Sequence, residues 1–358
     1  MGTIIKADEL IKALKTGISK ARDAQTLISC KKGKVSLVFK SASIVYSVII
    51  DGEGKSFSDI EVDAQNLNKL IASYSGKDVT ISVDGHEFTV KCGRSKIKIP
   101  CSPYDGFHSD HVEEAVSDGS TFSGWIKNHP LNSAASLKKA IQSIKDNVTK
   151  TELVVEAEWG KTDLLKVKLV DQFHGILAVV KLPKVPMKEK VRICIPLSSF
   201  IHLLDMSGDL YVDSTKVIIK EPTQSLECKF IAASAFGSID DMVKLIKSVE
   251  SPLKFSAKDL HTVVKKINSI SESDDSISIR QEKKYLMVTA STSKAEVIES
   301  IEVEGSLASA FKLSPKNLLD ISSCLIGDVS LGDEGHTIIF KSKKGDIAIN
   351  GAIVKMEV

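Results

Sequence analysis

Apolar residues at Leu10, Leu14, Ile18 and Ala21 recur at helical spacing and predict a helix over 8–24 with one apolar face. On another face stand Lys12, Lys15, Ser19 and Arg22, a basic polar stripe running the helix length, while the acids Glu9 and Asp23 sit at its ends. Alternating stretches follow, KVSLVFKSASIVYSVIID and FSDIEV, which read as strands, and Asp84-Gly85 between alternating residues marks a hairpin turn. The succession then recurs. A helix near 132–145 turns Leu137, Ala140, Ile141 and Ile144 inward and Lys138, Gln142, Lys145 and Thr149 outward, with TELVVEAEW, LLKVKLVD and ILAVVKL as its strands. A third begins at Ser256, a natural N-cap, with Leu260, Val263, Val264, Ile267 and Ile270 inward. Lys258, Thr262, Lys265 and Ser269 form its outer stripe, with Lys266 alongside.

The second half of each segment repeats more legibly still. Residues 313–351, 195–230 and 62–99 share one layout: an apolar strand end, a short amphipathic helix, a Gly-Asp break and alternating strands. Val62, Ile195 and Leu313 open the copies; Leu67, Phe200 and Leu318 follow; Gly76, Gly208 and Gly327 close the helices; Asp78, Asp209 and Asp328 lead into the hairpins. A spacing above a hundred residues is too long for a solenoid unit and fits a whole domain repeated in tandem. The polar, acidic stretch 103–120 reads as a linker, and a further boundary falls between 235 and 252. The expected class is α+β with predominantly antiparallel sheets.

Composition agrees with a folded, multi-domain chain: 358 residues, 42% hydrophobic and 26% charged, with no apolar run of membrane-spanning length. MGTIIKADEL does not read as a signal peptide, so a cytoplasmic location is expected. Cys30, Cys92, Cys101, Cys194, Cys228 and Cys324 are scattered without a CxxC pair, which suits reduced thiols and no zinc site. Gly52-Glu53-Gly54-Lys55-Ser56 resembles the end of a phosphate-binding loop, yet Ile49 occupies the place of the required earlier glycine, so a tight turn is the reading. His108 and His111 with Asp110 lie in the acidic linker without a nearby cysteine and are taken as solvated. No GxSxG, HExxH or EF-hand loop occurs, and no cofactor, metal or catalytic residue is expected.

Net charge is only +2, but its distribution is uneven. Lysine on the solvent face of one amphipathic helix is ordinary. Three corresponding helices with lysine stripes and few acids are less so, while acids gather at Glu296, Glu299, Glu302 and Glu304, at Asp110, Glu113 and Glu114, and at Asp240 and Asp241. Such segregation attracts a polyanion to one surface and repels it elsewhere. The lysine excess over arginine points to phosphate contact rather than base readout.

The run from Cys92-Gly93-Arg94-Ser95-Lys96-Ile97-Lys98-Ile99 through Ser102-Pro103 to Asp105-Gly106-Phe107, on three tandem α+β domains, resembles the bacterial DNA polymerase III β sliding clamp. So does Val170-Asp171-Gln172-Phe173-His174-Gly175-Ile176-Leu177-Ala178, which is similar to the family's Thr-Asp-Gly-His-Arg-Leu-Ala segment, and the apolar tail 352–358. The departures are an extra residue before His174, Gly175 where Arg is usual, and Lys355 and Glu357 where Pro and Arg are usual; they would suit a bacteriophage-encoded clamp.

The resemblance implies three DNA-clamp domains, 1–120, 121–248 and 249–358, each with two helices packed on antiparallel sheets. It implies a head-to-tail homodimer closed into a ring around duplex DNA, a replication processivity factor that tethers the replicative DNA polymerase, is handled by a clamp loader and catalyses nothing. Lys12, Lys15, Lys20, Arg22, Lys69, Lys138, Lys139, Lys145, Lys258, Lys265, Lys266 and Lys316 are then expected to line the channel. A partner-peptide pocket is expected from Leu153, His174, Ile176, Leu177, Gly237, Ile239, Met242, Val354 and Met356, several of which could equally be interdomain core. Two other classes stay open: a monomeric viral processivity factor or other nucleic-acid-binding module, and a nuclease, which would need clustered acids for metal ions.

Overall fold

The computed structural model describes residues 2–104, 124–126, 154–159, 164–170, 174–181, 191–231, 239–272, 275–292 and 295–356. It divides into two compact units, 1–129 with 205–230, and 130–204 with 231–358. The second repeat is thus shared between the units.

Helix α1, Ala7–Lys20, buries Leu10, Ile11, Ala13, Leu14 and Gly17, so the predicted apolar face is the packed one. The helix stops earlier than periodicity predicts: Ala21 still donates to the Gly17 carbonyl at 2.9 Å, but its own backbone leaves helical geometry at φ −126° and ψ 80°, and Asp23 takes φ 56°. Arg22 therefore lies on a turn beyond the helix. Helix α2, Ala64–Ile71, is capped by Asp63, whose side chain accepts the Asn66 N–H at 2.9 Å. The Asp8 carboxylate accepts from Ser75 Oγ at 2.6 Å and from the Gly76 N–H, tying the start of α1 to the turn after α2. Those bonds hold Asp8 below the usual carboxylate range.

In the first unit a nine-stranded sheet runs in the order 102–103, 57–62, 25–31, 34–40, 44–51, 224–229, 216–220, 209–212 and 124–126. A five-stranded sheet runs 53–54, 3–6, 78–84, 87–92, 95–100. In the second unit an eight-stranded sheet runs 191–196, 154–159, 164–170, 174–181, 347–354, 337–344, 328–334, 253–256, and a four-stranded sheet runs 296–302, 285–291, 277–282, 311–313. Every pairing between the described strands is antiparallel, where predominantly antiparallel sheets were expected.

The sheets join repeats in the same way twice. In the first unit the strand Ile44–Asp51 of the first repeat pairs with Gln224–Lys229 of the second. In the second unit His174–Lys181 of the second repeat pairs with Ile347–Val354 of the third. The strands in corresponding positions that have no such partner are Glu296–Glu302 and Ser95–Pro100, which are the edges of the four- and five-stranded sheets.

Helix α3 covers Leu197–Leu204. Helix α4, Ile239–Ser248, occupies the region read from sequence as a boundary; its buried face, Ile239, Met242 and Ile246, follows helical spacing that was there to be read. Helix α5, Ala257–Asn268, starts at Ser256, whose hydroxyl accepts the Asp259 N–H, and buries Leu260, Val263, Val264 and Ile267 as predicted. Helix α6 is Pro315–Cys324. The landmark glycines closing the repeated helices all have positive φ: Gly76 at 77°, Gly208 at 140° and Gly327 at 63°. That is the physical reason glycine recurs there. Cys30, Cys101, Cys228 and Cys324 are buried thiols outside any disulfide, and burial pushes the Cys324 thiol up to about 12. No described helix is long and apolar enough to cross a membrane, and no group of metal-ligating side chains occurs among the described residues.

Candidate nucleic-acid interface and partner pocket

Each unit presents a pair of helices packed side by side, α1 with α2 and α5 with α6. Their buried stripes fix which residues face solvent: Lys12 and Lys15 on α1, Lys69 on α2, Lys258 and Lys265 on α5, and Lys316 on α6 are all exposed. Among the described residues no ion pair neutralises any of these six. Arg22 is exposed too.

Two predicted channel lysines are otherwise engaged. The Lys20 ammonium lies 5.7 Å from the centroid of the Tyr46 ring, at the sheet on which α1 packs, and is only half exposed. Lys266 pairs with Glu299 of the neighbouring edge strand, although its side chain stays largely exposed. Neither fact was legible in the stripe, because the partner is supplied by a distant strand. Lys138, Lys139 and Lys145 lie outside the described residues.

Three of the residues expected to line a peptide pocket are brought together. Leu177, Ile239 and Met242 pack together with Ile246, Val249 and Ile339, with Val179, Val243, Leu245 and Ala352 against them. Strand alternation puts Asn350, Ala352 and Val354 on the face of Leu177, since Leu177 and Asn350 are directly paired. Val354 is 46% exposed at the edge of this cluster, an apolar side chain on an otherwise buried floor.

Alternation sends Ile176 to the opposite face from Leu177, where it is buried across from Gly351; a Cβ on Gly351 would come within 2.5 Å of the Ile321 side chain on α6. Ile176 thus stands apart from Leu177, Ile239 and Met242. The backbone of His174 pairs with Ile353, and Leu153 and Gly237 lie outside the described residues.

Met356 is half-buried; its N–H donates to the Lys312 carbonyl at 2.9 Å, and the preceding Lys355 pairs with Asp333 at 2.6 Å. The unusual lysine thus pins the tail. Ile246, Val249 and Ile339 were missed, though Ile239, Met242, Ile246 and Val249 recur at helical intervals.

Beneath the same face lies a charge network that sequence did not single out. Glu156 and Lys168 pair at 2.9 Å with side chains 6% and 3% exposed, and Arg192 also meets Glu156. Burial pushes the Lys168 ammonium below its usual value, opposed by the nearby Cys194 and Asp241. On the strand row Glu156, Lys168 and Leu177 are neighbours, so the network adjoins the apolar cluster.

No family model and no curated protein matches the sequence. Solved structures do match. The DNA polymerase III subunit beta from Pseudomonas aeruginosa superposes with a TM-score of 0.82 at 14% identity, covering 100% of both chains. The DNA polymerase sliding clamp from Caulobacter crescentus gives 0.79 at 16% identity, again over 100% of both chains. A Helicobacter pylori beta clamp bound to a DNA ligase peptide gives 0.76 at 15%, with the same full coverage. The fold of this chain is that of the DNA polymerase III β sliding clamps.

Proposed function

We propose that the protein is a DNA sliding clamp: a homodimeric ring of three clamp domains per chain, 1–120, 121–248 and 249–358, that encircles duplex DNA without sequence preference and tethers the replicative polymerase. The observation that carries this reading is the full-length clamp fold with paired helices bearing exposed, unneutralised lysines in both units. We assign it no catalytic step, place it in the cytoplasm, and count the clamp loader among its partners. Enclosure retains DNA while individually weak lysine–phosphate contacts permit sliding. The test is topological. On nicked circular DNA the loaded protein should be retained at high salt and released when the circle is linearised; equal loss from circle and line overturns enclosure and favours an open binding module.

The sheet edges support head-to-tail closure. Two repeat-to-repeat seams are filled within the chain, and the strands at the corresponding third seam, Ser95–Pro100 and Glu296–Glu302, are open edges that a second copy can join. Their charges are complementary: Lys96 and Lys98 on one, Glu296 and Glu302 on the other, with exposed Ile298 between the acids. Lys98 and Glu302 hold intrachain partners Glu87 and Lys284 at 2.9 and 2.8 Å, both highly exposed and easily exchanged. The double variant Lys96→Glu/Lys98→Glu is expected to weaken the dimer at least about tenfold in sedimentation, with Glu296→Lys/Glu302→Lys restoring it when the two proteins are mixed. An unchanged dimer, or a mixture that stays monomeric, would place the interface elsewhere.

For the partner pocket, Val354 is the informative position because its exposure makes substitution nearly neutral for stability. Val354→Glu is expected to lower affinity for a polymerase tail peptide more than about tenfold while sedimentation and DNA retention stay unchanged. Undiminished peptide binding would remove the pocket from this face.

A further inference from the structure

The face of the nine-stranded sheet turned away from α1 carries a second, chemically different groove. Phe39 and Tyr46 define the α1 side: a Cβ on Gly17 of α1 would collide with Phe39, and Lys20 of α1 lies over Tyr46. Alternation therefore puts Ser36, Ser47 and Ile49 on the other side. There they line a cavity of about 350 Å³ at the seam where Ile44–Asp51 of the first repeat pairs with Gln224–Lys229 of the second.

Its lining is basic at the rim. Lys31, Lys32 and Lys34 stand on the hairpin at one end and Lys220 at the other, against the single acid Glu221. Glu221 is already occupied, accepting the Ser207 N–H at 2.7 Å and a Gln224 amide. Hydroxyls of Ser29, Ser36, Ser47 and Ser225 supply donors along the floor, while Ile49 and Pro222 add apolar surface. The groove crosses five adjacent strands, about 19 Å at ~4.8 Å per strand spacing. That length matches about five or six residues of extended chain. It is far more than one phosphate needs, and a cavity of about 350 Å³ is far too small for a duplex.

We propose that this groove docks a short, extended acidic peptide of a partner protein, with carboxylates on the rim lysines and one apolar side chain over Ile49 and Pro222. Lying on the face opposite α1, it stays accessible while α1 engages DNA. The assignment itself does not depend on the ring reading.

The test uses the full chain and fluorescein-labelled peptides of about ten residues that mix Asp and Glu with one Leu, beside counterparts carrying Asn and Gln. The acidic set is expected to bind, the amide set at least about tenfold more weakly, since the attraction is charge complementarity. Lys32→Glu with Lys34→Glu and Lys220→Glu should lower affinity at least about tenfold, and Ser47→Leu, which fills the groove without altering charge, should lower it as well. Sedimentation and duplex DNA binding, measured on the same variants, should not change, which separates failure here from failure of the clamp reading. Absence of acidic-peptide binding, or binding indifferent to both variants, overturns the proposal. So does competition between duplex DNA and the acidic peptides that is lost in the lysine variant, which would make the groove a phosphate site. Binding that appears only after Asp110→Asn/Glu113→Gln/Glu114→Gln would identify the chain's own acidic stretch as the occupant and overturn the partner assignment.

Discussion

Replacing Lys12, Lys15, Lys258 and Lys265 together by glutamate is expected to lower affinity for duplex DNA at least about a hundredfold near 0.1 M salt, equally for all sequences. These four are exposed, stand on helix faces whose opposite sides are buried, and have no acidic partner among the described residues. Each lost phosphate contact should also remove about 0.9 from the slope of log K against log salt, a readout that a misfolded variant would not mimic. Because surface substitutions of this kind stay within about 0.5 kcal/mol in stability, the fold should survive. Lys20→Glu serves as an internal contrast. Its ammonium packs over Tyr46, so the change should cost stability through lost packing and leave the salt slope nearly unaltered. A quadruple variant with the parental slope would take the helix faces out of DNA contact.

Glu156→Ala is expected to destabilise the second unit by about 3–5 kcal/mol. The change leaves the Lys168 ammonium, 3% exposed in its side chain, without the carboxylate 2.9 Å away, and also takes a partner from Arg192. Burial already opposes the charged form of Lys168, with Cys194 and Asp241 opposing that shift, so losing the carboxylate in direct contact removes its nearest compensating charge. Hydrogen exchange should show protection falling first in Val154–Trp159 and Leu164–Val170, which carry the pair. The double change Glu156→Leu/Lys168→Met, which removes both charges and keeps the volume, should recover most of the loss. If Glu156→Ala is neutral, water reaches Lys168 and the pair is not a buried one.

Much of this was legible from the order of residues, and the legible parts have one physical origin: periodicity. Helix α5 ran as read, cap and buried face together, because Ser256 and the spacing of Leu260, Val263, Val264 and Ile267 are local facts. The hairpin at Asp84-Gly85 formed for the same reason, with Gly85 at φ 56°. The end of α1 was placed too late, since apolar spacing continues to Ala21 while the backbone has already turned. Helix α4 lies inside the stretch 235–252 that reads as a boundary, although Ile239, Met242 and Ile246 carry helical spacing.

Short-range spacing and motifs within one stretch carry the repeated layout, the α+β class, the apolar face of each described stripe helix and the resemblance to β clamps. Which charges find partners within the chain follows from tertiary contacts instead. Lys20 on Tyr46, Lys266 on Glu299, Lys355 on Asp333 and Lys168 on Glu156 pair across strands or helices, in most cases far apart in sequence. The tertiary structure likewise puts the neighbours Ile176 and Leu177 on opposite faces of their strand, Leu177 against Ile239 and Met242. Pairing energies depend on distance in space and on burial, and a strand's two faces acquire different surroundings only when different helices pack on them, here α4 beside Leu177 and α6 beside the Ile176–Gly351 pair.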